Sequence, residues 1–198
     1  MANQLIIQKW LAIVLLKNCF GGSSDTTLKE LRDALNAQTD LSTFPYEAIN
    51  KKLSIEAGFS GTEIENFLKT NYGTKYSYLI LSLLYPNRDW KDSTHHEDHI
   101  FPKSQFTARN LIHLGYDAIK TQEYLAGYNT IANLQLLTDS ENLEKHAKPF
   151  DEWLATRDDN FRTRHSIPSL RTYAFDNFME FFQKRKKIIE TKLKTSLM

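Results

Sequence analysis

Two stretches decide how this chain reads: EDHIFPKS at residues 97–104 and NLQLLTDSENLEKH at residues 133–146. The first sets Asp98 and His99 ahead of Ile100-Phe101-Pro102, an apolar step too short for a helix, so an extended segment is expected around 94–101. In the second, Leu134, Leu136 and Leu137 suggest a short strand. Ser140 is then placed to N-cap a helix carrying Asn142 and His146.

Outward from these stretches the chain reads as helices. Residues 3–19 have helical periodicity through Leu5, Ile6, Trp10, Ile13, Val14 and Leu16, stopped by Gly21-Gly22. Thr27 with Glu30 makes a capping box for a helix to Asn36. Pro45 opens a third, through Ala57, and Thr62 with Glu65 opens a fourth that ends near Gly73. The segment TKYSYLILSLLYP (74–86) is a buried fifth, broken at Pro86. Residues 107–127 are partly helical, interrupted by Gly115 and Gly127, and helices are expected over 150–157 and 169–195. The aromatics of the last one, Tyr173 to Phe182, read as packing. The expected class is α+β, predominantly helical, with a small ββα unit set between N- and C-terminal helices. A boundary is expected between a helical region, 1–88, and the region that carries the chemistry, 89–198.

Composition narrows the function. The 198 residues include one cysteine, Cys19, which excludes a disulfide framework and a cysteine-ligated zinc finger and suits a reducing cytoplasm. The apolar run Leu11–Leu16 is short and lies between Lys9 and Lys17, whereas a membrane span takes roughly 20 apolar residues. Neither a span nor a signal peptide is expected. The net charge of +1 by itself says nothing about nucleic acid, but the near-neutral balance argues against a pure nucleic-acid-binding module, which usually carries a marked basic patch.

Five of the six histidines lie between His95 and His146. Asp98 and Asn142 offer oxygen donors and His146 an imidazole nitrogen, a set that suits Mg²⁺ or Mn²⁺ and admits Ni²⁺ or Zn²⁺. Residues i and i+4 share a helix face, so Asn142 and His146 can address one ion. On a strand His99 projects away from its neighbour Asp98, which leaves it free to take a proton from water. Asn133 either holds the loop or orients the imidazole. Lys103, Arg109, Lys145 and Lys148 are candidate phosphate contacts. Taken singly these residues have ordinary structural readings. His95 and His96 read as exposed, His113 and His165 as structural; the force is in order and spacing.

EDHIFPKS resembles the first motif of HNH (ββα-metal) endonucleases, and NLQLLTDSENLEKH resembles the second and third, in the Asn-ended variant. The resemblance implies metal binding by Asp98 and Asn142, a general base in His99, and a structural or orienting Asn133. The His-ended variant has a further ligand four residues along, which is His146 here. Cysteine pairs that hold zinc in many such proteins are absent, so helical packing must support the unit. HIFPKS, NLQLLTDSENLEKHAKPFDEWL and DNFMEFFQKRKKII are also similar to the C-terminal nuclease domain of GmrSD-type modification-dependent restriction enzymes, over about residues 75–195.

This implies a metal-dependent DNA endonuclease, the nuclease part of a restriction or phage-defence protein. Its partner would be a ParB-like nucleotide-handling domain or a separate chain. One such centre cuts one strand, so cutting both implies a second copy, as in a homodimer. The alternative function is a non-catalytic DNA-binding module on the same scaffold; a third reading is a zinc site built from the clustered histidines.

Overall fold

The computed structural model describes residues 2–22, 24–56, 58–85 and 94–195. They fall into two compact units, Met1–Gly61 with Lys194–Met198, and Thr62–Leu193. The boundary expected at residues 88–89 lies outside the described residues, as does Pro86.

The first unit is helical: α1 (Ala2–Leu16), α2 (Ser24–Asn36) and α3 (Tyr46–Leu53). Trp10, Val14, Ala34 and Ile49 form its core, with Leu31, Phe44 and Leu53 packed against them. The Trp10 ring meets Phe44 edge-on at 5.2 Å, and its Nε1 donates to Asn50 Oδ1 at 2.8 Å, so the one polar atom of the ring is satisfied. α3 stops at Leu53 rather than running through Ala57. Ser54 takes a left-handed conformation (φ 53°), and its N–H closes the helix on the Asn50 carbonyl.

The second unit holds α4 (Gly61–Leu68), α5 (Ser77–Ser82), β1 (His95–His99), α6 (Ala108–His113), α7 (Ala118–Gly127), β2 (Leu134–Thr138), α8 (Asp139–Lys145), α9 (Phe150–Ala155), α10 (Asp159–Arg164) and α11 (Phe178–Thr195). β1 and β2 form a two-stranded antiparallel sheet with Asp98 opposite Gln135 and His99 opposite Leu134. The fold is therefore α+β and mostly helical. No helix among the described residues is long and apolar enough to cross a membrane.

Beneath the sheet lies an aromatic core. Phe101 packs against Phe150, Phe178 and Phe181 with ring centroids 4.8–5.3 Å apart, and Trp153, Phe161 and Tyr124 are fully enclosed beside them. The expected packing role of the α11 rings is met. Gly127 marks a close approach: a Cβ there would lie 3.3 Å from Phe182.

Several ends differ from expectation for local reasons. α11 begins at Phe178, not 169, because the Tyr173 hydroxyl donates to the Pro168 carbonyl and accepts from Leu170 N, which holds 168–173 as a loop. α10 was not expected; Asp158 caps it by accepting from Phe161 N at 2.8 Å. α8 is capped by Thr138, one residue past the expected strand, in a reciprocal box with Glu141, so Ser140 lies inside the first turn.

Candidate active site

The pleat of β1 sorts its side chains. His95, Glu97 and His99 face one way, His96 and Asp98 the other. The α8 side receives Asp98 and His96; the opposite side receives His99.

On the α8 side, Lys145 reaches back from the last turn of α8. Its Nζ donates to both oxygens of Asp98, at 3.2 and 3.0 Å, and to the His99 carbonyl at 2.7 Å. Gln135, directly across the sheet, donates to Asp98 Oδ2 at 2.9 Å. Lys145 is only 1% exposed, so it is no phosphate contact; it is a tether joining α8 to β1. Burial pushes its ammonium below the ordinary lysine range, and the Asp98 carboxylate opposes that shift. Asn142 lies one turn before Lys145 on the same face of α8 and is half-exposed. His146 is the C-cap residue of α8, with φ 46°; its N–H still bonds the Asn142 carbonyl at 3.0 Å, and its side chain is exposed. His96 is exposed as expected and pairs with Asp139 at the start of α8. His95, expected to be exposed, is buried because the pleat puts it on the His99 side.

On the other side, His99 is buried, 9% exposed. Its Nε2 lies 2.9 Å from Asn129 Oδ1. The Tyr72 ring covers it at 4.7 Å and the Tyr128 ring lies at 6.2 Å. Burial lowers the imidazole pKa below its ordinary 6.5. The Asn129 bond and Asp98 oppose this, while the nearby Lys103 and Lys145 charges add to it. Glu97 ties the covering segment down by accepting from Ser77 Oγ at 2.8 Å and from Gly73 N at 3.1 Å.

Asn133 is fully buried and spends its amide on backbone. Its Oδ1 accepts from Phe101 N at 3.0 Å; its Nδ2 donates to the carbonyls of Phe101 (3.2 Å) and Tyr128 (2.7 Å). It holds the chain after His99, at Phe101, to the Tyr128 backbone. Lys103, Arg109 and Lys148 are exposed. Arg109 lines an open cleft of about 500 Å³ with Thr107, Asn110 and His113. His165 is structural, as expected: it is buried against the Phe161 ring at 4.1 Å, with Tyr85 Oη 2.9 Å from its Nδ1.

Asn129, Gln135 and Tyr72 are functional neighbours that the motif reading misses. Each meets its partner across 27 to 37 residues of chain, and none repeats with any period. Gln135 alone had a hint, as a polar residue between Leu134 and Leu136 in an otherwise apolar strand.

The donor chemistry fits a divalent cation in a limited way. A carboxylate offers about four acceptor sites, and Lys145 with Gln135 takes three at Asp98, so one oxygen position remains. Asn142, half-exposed on α8, carries an amide oxygen of the same donor class. No group of three His, Cys, Asp or Glu side chains suited to a metal occurs among the described residues. Compared with known protein families and with curated proteins, the chain matches none.

Proposed function

We propose that this protein is a metal-dependent endonuclease of the HNH type that hydrolyses phosphodiester bonds in DNA. The observation that carries the reading is Asn133. A wholly buried asparagine ties Phe101 to Tyr128 and so fixes the strand end on which Asp98 and His99 stand back to back.

In this reading His99, kept neutral by burial, takes a proton from water, and the resulting hydroxide attacks phosphorus. The P–O3′ bond breaks and the 3′ oxygen leaves, taking a proton from solvent. The ends are a 5′-phosphate and a 3′-hydroxyl. Lys103, Arg109 and Lys148 bind backbone phosphates from the surface. Lys145 and Gln135 hold the Asp98 carboxylate in one orientation. A divalent ion, Mg²⁺ or Mn²⁺ before Ni²⁺ or Zn²⁺, would be held by Asp98 and Asn142, and when bound supplies positive charge against the phosphate and the departing oxygen. The restriction or phage-defence setting rests on sequence resemblance, as does a ParB-like nucleotide-handling partner.

The test is nicking of supercoiled plasmid with Mg²⁺, Mn²⁺ or Ni²⁺. Wild type is expected to nick and His99→Ala to lose at least about 100-fold, since a general base is worth roughly 10²–10⁴. Equal rates would remove His99 from the role. The ion pair of Asp98 with Lys145 favours one alternative, a DNA-binding module without catalysis. Salt-dependent binding with no nicking under any of the three metals would select it.

A further inference from the structure

The imidazole of His99 has two nitrogens, and only one can take a proton from water. Neutral imidazole carries hydrogen on one nitrogen and a lone pair on the other, and the partner of one fixes the state of both. Nε2 is 2.9 Å from Asn129 Oδ1, and an amide oxygen only accepts, so Nε2 carries the hydrogen and Nδ1 the lone pair.

Asn129 is itself held from both sides. Its own carbonyl accepts from Tyr72 N at 2.9 Å. The next residue, Thr130, pairs with Asn71 in an isolated antiparallel bridge, and Ile131 N donates to the Thr70 carbonyl at 3.2 Å. On the other side Asn133 grips the Tyr128 carbonyl at 2.7 Å. The Tyr72 ring, carried by the same bridge, lies over the imidazole at 4.7 Å. The 70–73 and 128–133 segments thus make a fixed frame that presents one acceptor to one edge of His99.

We propose that Asn129 is the positioning residue of the site: its carboxamide oxygen fixes His99 as the Nε2–H tautomer and leaves Nδ1 as the atom that takes the proton. This rests on the nuclease reading. It also gives buried Asn133 an indirect part in orienting the base, through the Tyr128–Asn129 backbone.

The experiment pairs a spectrum with kinetics on the full chain. Ring ¹⁵N–¹H correlation at about pH 8, above the ordinary histidine pKa near 6.5, reads the tautomer of His99. Wild type is expected to show hydrogen on Nε2, slowed in exchange, and a bare Nδ1. Asn129→Ala should lose the slowed exchange and cut plasmid about 10–100-fold more slowly in kcat, with KM within about twofold. Asn129→Leu, which keeps the branched shape without the oxygen, should match Asn129→Ala and replaces it if that variant does not fold. Asn129→Asp retains an oxygen acceptor and should recover both the signal and most of the rate. A ring protonated on Nδ1, or unchanged ring exchange in both apolar variants, overturns the proposal. So does plasmid cutting at the wild-type rate by those variants. In each of these cases a wild type that still cuts leaves the nuclease reading standing. A wild type inert with Mg²⁺, Mn²⁺ and Ni²⁺ defeats that reading and removes the catalytic part of this one.

Discussion

At the scale of single residues, burial decides what His99 and Lys145 can do. Enclosure favours the neutral form of each, and for His99 the pKa falls below 6.5. The unfolded chain therefore binds a proton at His99 more readily than the folded one. Its contribution to stability is whole above pH 6.5 and is lost as pH falls through the folded value. Under the proposed function the same sign would govern catalysis: His99 would be neutral, and so able to act as a base, throughout the neutral range, and single-turnover cleavage should fall only below about pH 6.5. A rate still rising tenfold per unit above pH 7.5 would contradict it. Lys145→Met tests the tether. It leaves the Asp98 carboxylate without its cation and should cost about 3 kcal/mol in urea unfolding, the low end for a broken buried pair because Asp98 keeps some contact with water. The salt slope of DNA binding should not change, as it would for a phosphate contact.

At the scale of elements, the strand–strand–helix order was legible because local rules wrote it: a polar-to-apolar step at Ile100, leucines at strand spacing, and a capping signature ahead of α8. Its edges were less so. Thr138 and Ser140 both suit an N-cap, and only the reciprocal bond to Glu141 selects Thr138. Thr138→Ala should therefore cost about 1 kcal/mol, read as a lower urea midpoint, and Ser140→Ala much less. His146 reads as helical by count; it closes α8 as its C-cap residue, with φ 46°. Asn133 was singled out from sequence, yet which of its two possible roles it fills required the loop partners. Asn133→Ala strands three buried backbone groups and is expected to lose about 3 kcal/mol or more.

At the scale of the whole molecule, the unit that holds the candidate site is closed by Arg185 of α11. Its guanidinium is fully buried and donates to the carbonyls of Ile131, Ala132 and His165, at 2.8–3.2 Å, which pins the chain just before Asn133. Burial lowers its pKa to about 10, still well above neutral. This long-range strut was invisible in a sequence where Arg185 sits among Lys184, Lys186 and Lys187 and reads as part of a solvated basic run. In the proposed function Lys103, Arg109 and Lys148 are the phosphate contacts. Replacing Lys103, Arg109 and Lys148 together by alanine in the His99→Ala background should flatten the log–log salt slope by about 2.7, at about 0.9 per phosphate contact. The central claim is that His99 is a base in a phosphodiesterase. Its most direct measurement is single-turnover cleavage of one end-labelled DNA duplex by wild type and by folded His99→Ala in Mg²⁺ or Mn²⁺. The account predicts a rate ratio of at least about 100 and 5′-phosphate ends; a ratio near one, or no cleavage by either protein, would contradict it.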